Sequence, residues 1–302
     1  MAVITTGLHP KALWPGVKAW FGQAYGEHPL EYPMIFKKTT SDKAYEEYVE
    51  ATGFGLAPVK TQGASVSYTS DAQGFISRLT NVTIALGYIV TMEELEDNLY
   101  ETVSKSRSKK LAFSMRQTKE YVGANIINRI TNGSYLMGDG VVLASASHPT
   151  KDGTQSNILS PAADISESAI EDLATQVMGA KNSVGLIINL MIDKLLVPRQ
   201  LWFEANRIVN SVLQNDTANN AVNVLKATNA FPGGIVMNHF LTDADAWGIL
   251  TNCPDSLMYQ ERRALKFTQD NDFDTENAKA KAAERYQFGV GDWRGIYWSV
   301  GA

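Results

Sequence analysis

The sequence predicts an α+β fold built from one long helix, an extended β-hairpin and a set of strands near its end. Three observations predict it. An acid-led, apolar-striped helical pattern starts at Thr91 and runs to about residue 131. A glycine- and threonine-rich stretch with alternating apolar residues precedes it, and residues 278–290 alternate again at period two. With 302 residues, 44% hydrophobic and 20% charged, the chain has ample material for a buried core and a sparsely charged surface.

Taken in order, residues 7–50 scatter Trp14, Trp20, Phe21, Tyr25, Tyr32, Pro33 and Phe36 without period. A helix is expected from about Pro10 to Tyr25, followed by extended chain; an aromatic segment of this kind needs another surface to lie against. From Thr52 the composition shifts, and Ala64–Thr69 and Phe75–Ile89, separated by Ser70-Asp71-Ala72-Gln73-Gly74, read as a long hairpin. Such a hairpin has little core of its own.

Thr91 with Glu94 forms a capping box, and Glu93, Glu94, Glu96 and Asp97 suit the positive end of a helix dipole. Met92, Leu95, Leu99 and Val103 start an apolar stripe that continues through Leu111, Met115, Val122, Ile126 and Ile130. One unbroken helix over 92–131 would be about 60 Å long, unless it breaks near Thr118, where Thr118-Lys119-Glu120 could begin a second segment. Residues 131–159 are a loop region. Asp164 or Ser166 then caps a helix to about Asn182, and Leu190–Val197 reads as a buried strand, with Pro198 opening a helix over 199–213. The Asn-rich stretch 215–229 is a polar surface segment with room for a short helix. Strands are expected at Gly234–Phe240 and Arg263–Thr268, and a short helix at Ala244–Leu250. In 278–290 Ala, Lys and Glu favour helix by propensity, but Ala278, Ala280, Ala282, Glu284, Tyr286, Phe288 and Val290 share one side at period two, so a strand is expected, returning as a hairpin through Trp293–Val300.

Lys plus Arg at 27 against Asp plus Glu at 32 gives 27 − 32 = −5, which argues against a chain wrapped in positive field, so any nucleic-acid contact is local. The single Cys253 excludes an internal disulfide and cysteine-rich zinc modules. No leader pattern is read at the N-terminus, and the longest apolar run, Val184–Val197, carries Asn189, Asp193 and Lys194, so no membrane span is expected. Ser147-His148 with Asp152 invites a hydrolase reading, yet adjacent loop residues rarely reach triad geometry and no G-x-S-x-G elbow occurs; His148 is read as a loop histidine held by a turn, with the energetic weight of a non-core site. Asp270, Asp272 and Asp274 have the first spacings of a calcium loop, but Thr275 and Lys281 stand where Gly and Glu are required. Phosphate-cradling glycine motifs are absent. No catalytic, cofactor or metal residue is assigned. The most basic run is Lys105, Arg107, Lys109 and Lys110, with Arg116 further along: either a solvated face balancing the acidic first turns, or a patch facing phosphate.

The segment IALGYIVTMEELEDNLY at 84–100 resembles the junction of extended loop and spine helix in tailed-bacteriophage major capsid proteins, in particular the Mu-like major head subunit group. The resemblance continues at Gly138-Asp139-Gly140, at SHPTKDGTQSNIL, at DKLLVPRQLWFEANRIVNS (193–211) and at Asp292-Trp293-Arg294-Gly295. It implies the Hong Kong 97-like capsid fold: an N-arm at 1–51, an extended loop at 52–90, the spine helix and peripheral domain at 91–159, an axial domain at 160–258, and C-terminal strands of the peripheral domain at 259–302. It also implies a non-enzymatic shell subunit, assembled in the host cytoplasm into hexamers and pentamers and resident in the virion. Its partners are then further copies of itself, packaged double-stranded DNA held without sequence preference, a portal and a separate scaffolding protein; a decoration protein is compatible with the resemblance. In that setting Lys105, Arg107, Lys109 and Lys110 form a lumen-facing or inter-subunit strip. Some relatives crosslink subunits through Lys and Asn; Lys60 lies in the loop, but nothing local marks a partner. The competing expectations are an encapsulin-like compartment shell and, from another class, a soluble hydrolase using His148.

Overall fold

The structure, a computed structural model, describes residues 14–27, 29–91, 93–94, 100–214, 221–272 and 277–302. Helices α1 (Trp14–Gly26) and α2 (Tyr32–Ile35) lead into strands β1 (Lys37–Thr40) and β2 (Tyr45–Ala51). Then come β3 (Gln73–Thr80), β4 (Val82–Val90), the long helix α3 (Tyr100–Asn128), and the small hairpin β5 (His148–Thr150) and β6 (Gly153–Gln155). The remainder runs α4 (Glu167–Met178), β7 (Ile192–Pro198), α5 (Trp202–Asn210), α6 (Val224–Ala227), β8 (Ile235–Asn238), β9 (Trp247–Thr251), β10 (Leu257–Asn271), β11 (Ala278–Val290), a 3-10 turn (Trp293–Gly295) and β12 (Ile296–Ser299).

Two four-stranded sheets organise these elements. The first has the order β1-β10-β11-β4, with β1 parallel to β10 and the rest antiparallel. Its core face is the expected side of β11: Ala278, Ala280, Ala282, Glu284, Tyr286 and Phe288 are all buried. Burial against helices thus outweighs the helix propensity of the alanines, since strand preference is set by what covers the pleat. The small alanines admit close helices, and Ala282 packs with Phe21 and Ala24 of α1 and with Leu111, Ala112 and Met115 of α3. Further along, Tyr259, Tyr286, Phe288, Phe36 and Ile127 fill the space beneath the other half of α3. The second sheet, β12-β9-β7-β8, is covered by α4, whose apolar face (Ala169, Ile170, Leu173, Val177) meets Leu195, Val197, Trp247 and Ile249. Ser166 caps α4, its hydroxyl accepting from the Ala169 N–H at 3.2 Å.

Several expected elements fall elsewhere. The hairpin's first strand is β2, not Ala64–Thr69, which has no regular structure. The run Phe75–Ile89 is two strands in different sheets, divided at Asn81. That residue is buried and saturated: its amide donates to Ser41 Oγ and the Lys43 carbonyl and accepts from Gln260, so the chain is held where it turns from hairpin to sheet. The long helix does not break at Thr118, whose hydroxyl donates to the Ser114 carbonyl within an unbroken 29-residue helix of about 44 Å. Of its expected start, 92 and 95–99 lie outside the described residues. The short helix expected at Ala244–Leu250 is not formed: Trp247–Thr251 are the inner strand β9, where every residue is buried and a largely apolar run carries no period to separate helix from strand. The return after Trp293 does not pair with β11. It crosses to β9 of the second sheet, with Trp298 opposite Gly248, and so links the two cores. Pro198 ends β7 and α5 begins at Trp202.

Candidate assembly surfaces

The pair β2–β3 stands apart from both sheets. Its neck is closed by backbone pairing of Thr52 with Ala72 and by Asp71, whose carboxylate accepts from the Gly53 and Ala72 N–H groups and the Thr52 hydroxyl. Those hydrogen bonds, that of Gly53 first, hold the Asp71 carboxyl below its ordinary pKa. Beyond the neck, residues 53–71 carry Phe54, Leu56, Val59, Val66 and Tyr68 at 57, 83, 96, 58 and 92% exposure. Five large apolar side chains so little covered, spread along one segment, are what an association surface presents. A second group of exposed apolar side chains, Phe203, Val212, Val222 and Val224, lies around α5 and the bridge from Leu213 to Val222.

The basic run is mostly engaged within the chain. Arg107 makes a two-pronged pair with Glu94 at 2.8 and 2.9 Å, Lys109 lies 3.8 Å from Glu27, and Lys105 sits over the Trp20 ring at 5.6 Å. Lys110 is exposed, while Arg116 is buried over the Tyr25 ring. A larger concentration of cations lies on the sheet face away from α3: Arg263 opposite Arg285, with Lys266, Lys279 and Lys281. The spacing 279, 281, 285 on a period-two strand was the signal for it.

His148 differs from the loop histidine expected. It is fully buried, with Nδ1 2.6 Å from Asp139 Oδ2, Nε2 3.0 Å from Asn157 Oδ1, and its ring stacked on Trp293 at 4.2 Å. Asn157 is oriented independently, accepting from the Ser145 N–H and donating to the Leu143 and Ile296 carbonyls. Both ring nitrogens are therefore committed to structural partners. Ser147 is exposed and its N–H donates to Ser145 Oγ, so the serine beside His148 does not pair with the buried ring. Asp270 lies opposite Lys279, Asp272 pairs with Lys279, and Asp274 is outside the described residues. No group of potential metal ligands occurs among the described residues, and no helix there is long and apolar enough to cross a membrane. Burial, with Asp292 nearby, pushes the Cys253 thiol up to about 12, which leaves it unreactive.

Sequence reasoning missed three buried charged centres. Lys119 and Glu284 pair at 2.6 Å beneath α3, 5% and 1% exposed, with Tyr25 OH 3.1 Å from the ammonium. Glu120, also buried, accepts from the Glu31 and Tyr32 N–H groups, and Glu31 in turn holds His239. Arg294 is enclosed by Glu50, Asp292 and Trp293. Glu284 had a visible signal, a carboxylate on the apolar side of an alternating strand.

None of these centres presents a reactive group to an open cleft, and the exposed apolar side chains gather at the periphery, on 53–71 and around α5. The sequence profile of the family described as phage capsid protein matches residues 77–299. The chain belongs to the phage capsid protein family. The fold agrees: the capsid of a native GTA particle matches with a TM-score of 0.55 at 11% identity, covering 90% of both chains. The virus-like particle of Pyrococcus furiosus matches with a TM-score of 0.51 at 10% identity, covering 95% of this chain and 99% of that one. The Mycobacterium phage Patience matches with a TM-score of 0.51 at 10% identity, covering 98% and 88%. No curated protein matches the sequence. This capsid protein thus has the Hong Kong 97-like fold expected from the resemblance and serves as a self-assembling structural component of the virion, not as an enzyme.

Proposed function

We propose that this capsid protein is the major head subunit of a tailed phage, forming hexamers and pentamers that close into an icosahedral shell around double-stranded DNA. In this reading residues 1–51 act as an arm along neighbours, 52–90 contain the loop that reaches over an adjacent subunit, α3 is the spine of a peripheral domain, 160–258 form the axial domain around the capsomer axis, and 259–302 return to the peripheral domain. Portal and scaffolding proteins are separate chains, a decoration protein is a further possible partner, and assembly takes place in the host cytoplasm. Lys110 and the outward side of Lys105 remain the members of the basic strip suited to the lumen or a subunit junction. The observation that carries the reading is the neck-closed segment 53–71, which exposes five large apolar side chains that a lone subunit leaves in water.

The test replaces 53–71 by two glycines, a short closure because Thr52 and Ala72 are already hydrogen-bonded. The body should unfold cooperatively at its usual temperature while electron microscopy and light scattering show no closed particles. Normal particles from the shortened chain refute the assignment. A compartment shell has the same fold, as the virus-like particle illustrates. Nuclease-protected DNA inside purified particles separates a genome-enclosing shell from it.

A further inference from the structure

The run Asp292-Trp293-Arg294-Gly295 is the meeting point of three segments distant in sequence. Arg294 is 2% exposed. Its Nε donates to the Lys181 carbonyl at 2.9 Å, and its Nη1 reaches Asp292 and Glu50 Oε1, each at 3.2 Å. Glu50 is the penultimate residue of β2 and also accepts the Ser183 hydroxyl. Opposite it stands Gly74, where a Cβ would lie 2.7 Å from Glu50 Oε2, so glycine leaves the glutamate room to fold across the neck toward Arg294. Pairing in the hairpin shifts register beside it, between Val49 and Ala51. Among the described residues this is the one ion pair that joins β2–β3 to segments remote in the chain; Glu47 and Arg78 pair within the hairpin and Glu46 pairs with the adjacent Lys43.

The two sides of the pair are unequal. Removing Glu50 still leaves Arg294 with the Asp292 carboxylate, the Lys181 carbonyl and the Trp293 ring face, so the buried cation is not orphaned. Removing Arg294 would leave the core turn itself without its cation. The connection can therefore be lost on the hairpin side without dismantling the body. We propose that Glu50 is a positioning residue for assembly: its charge on Arg294 fixes the angle at which the hairpin leaves the body, presenting the apolar segment 53–71 in one direction. The consequence for shells rests on the function proposed above; the fixing of the angle does not.

The experiment measures a distance within one chain. Spin labels are placed at Thr61→Cys on the hairpin and Asp172→Cys on the exposed side of α4, in a Cys253→Ser background, and labelled chains are diluted with unlabelled ones. With Glu50 present a single narrow distance distribution is expected. In Glu50→Gln, which keeps shape and loses charge, and in Glu50→Ala, the single peak should be lost while the unfolding midpoint stays in place, and the yield of regular particles should fall. A narrow peak retained in Glu50→Gln overturns the proposal, as does a broad one that appears only together with loss of cooperative unfolding. Failure of the unsubstituted chain to form shells would count against the proposed function alone, because the distance is read on single chains.

Discussion

The Lys119–Glu284 pair gives the sharpest test of how the body is held together. Each group is nearly water-free, so neither can be rehydrated when its partner is removed. Breaking a buried pair costs about 3–5 kcal/mol, a large share of the roughly 5–15 kcal/mol that stabilises a domain. The surroundings rank the two single variants. In Glu284→Leu the ammonium keeps Tyr25 OH at 3.1 Å and the Tyr259 and Tyr286 rings at 5.6 and 5.2 Å, which places the loss near the lower end. In Lys119→Met the carboxylate has no cation left, and its route to relief is protonation, toward which burial already drives it. The pH dependences should therefore have opposite signs. Lys119→Met retains a carboxyl with raised folded pKa, whose stability is present below the ordinary carboxyl value and is lost as pH rises. In the intact protein the Glu284 carboxylate holds the Lys119 pKa above its ordinary value against desolvation; Glu284→Leu leaves the desolvation, so its stability should grow as pH rises toward the ordinary lysine value. The double variant Lys119→Met/Glu284→Leu should come within about 1–2 kcal/mol of the original or exceed it. Urea unfolding of unassembled subunits, followed by tryptophan fluorescence between pH 5 and about 10, reads all four corners of the cycle. A double variant as costly as the sum of the singles, or slopes of the same sign, refutes the view that mutual neutralisation is what keeps these charges buried.

Two other centres make related predictions. Burial raises the Glu120 pKa against the pull of its two backbone donors, so its contribution is full below the ordinary carboxyl value and falls as pH rises through the raised one. Glu120→Gln removes that slope, and the stability gap between the two proteins should narrow from pH 4.5 to 7 in chemical denaturation; a constant gap contradicts the assignment. His148→Ala should cost about 3 kcal/mol, because it strips hydrogen bonds from Asp139 and Asn157 and leaves Trp293 without its stacked ring. A loss below about 1 kcal/mol, the scale of a surface loop position, would return His148 to the peripheral role its sequence neighbourhood suggests.

The elements legible in the sequence were those whose periodicity faces a single neighbour. Residues 278–290 show this well: alternation outran the helix propensity of Ala, Lys and Glu because one face meets α1 and α3 and the other meets water. The same logic recovered α4 with its Ser166 cap, while β7, covered on both faces, was read from its short apolar run bounded by Pro198 and not from a period. It failed where both faces are covered, as at Trp247 to Thr251, since an apolar run enclosed on all sides has no period to read. It also failed where partners are distant: β2 looks polar and alternating only once its partner β3 is known, whereas Ala64–Thr69 alternates without any strand to meet. Asn81 marks the limit most clearly. Its local sequence, Thr80-Asn81-Val82, reads as continuous strand, and the turn from hairpin to sheet exists only because Ser41, Lys43 and Gln260 supply bonds from 40, 38 and 179 residues away.

That dependence on remote partners bears on how a shell subunit divides its labour. The body is fastened by buried polar centres at the places where segments cross: Glu120 ties α3 to the chain entering α2, Lys119 and Glu284 tie α3 to β11, and His148 with Asn157 ties the post-helix loop to the turn before β12. Each centre requires several segments to be in place at once, so a partly assembled body leaves charges or donors unpaired and is penalised. The hairpin's own polar fastenings among the described residues are Glu50 on Arg294 and Ser183 and, at its base, Asn81 with Ser41, Lys43 and Gln260. Its backbone ladder makes it a stiff element, and beyond those fastenings it meets the body through a Ser41 to Glu46 hydrogen bond, a weak Ser77 to Gly291 hydrogen bond at 3.4 Å and contacts around Leu79. A rigid lever on a light fastening can change direction at a cost far below that of unfolding the body. In the shell proposed above, a lever that neighbours can redirect would let one subunit meet them at both hexamer and pentamer angles.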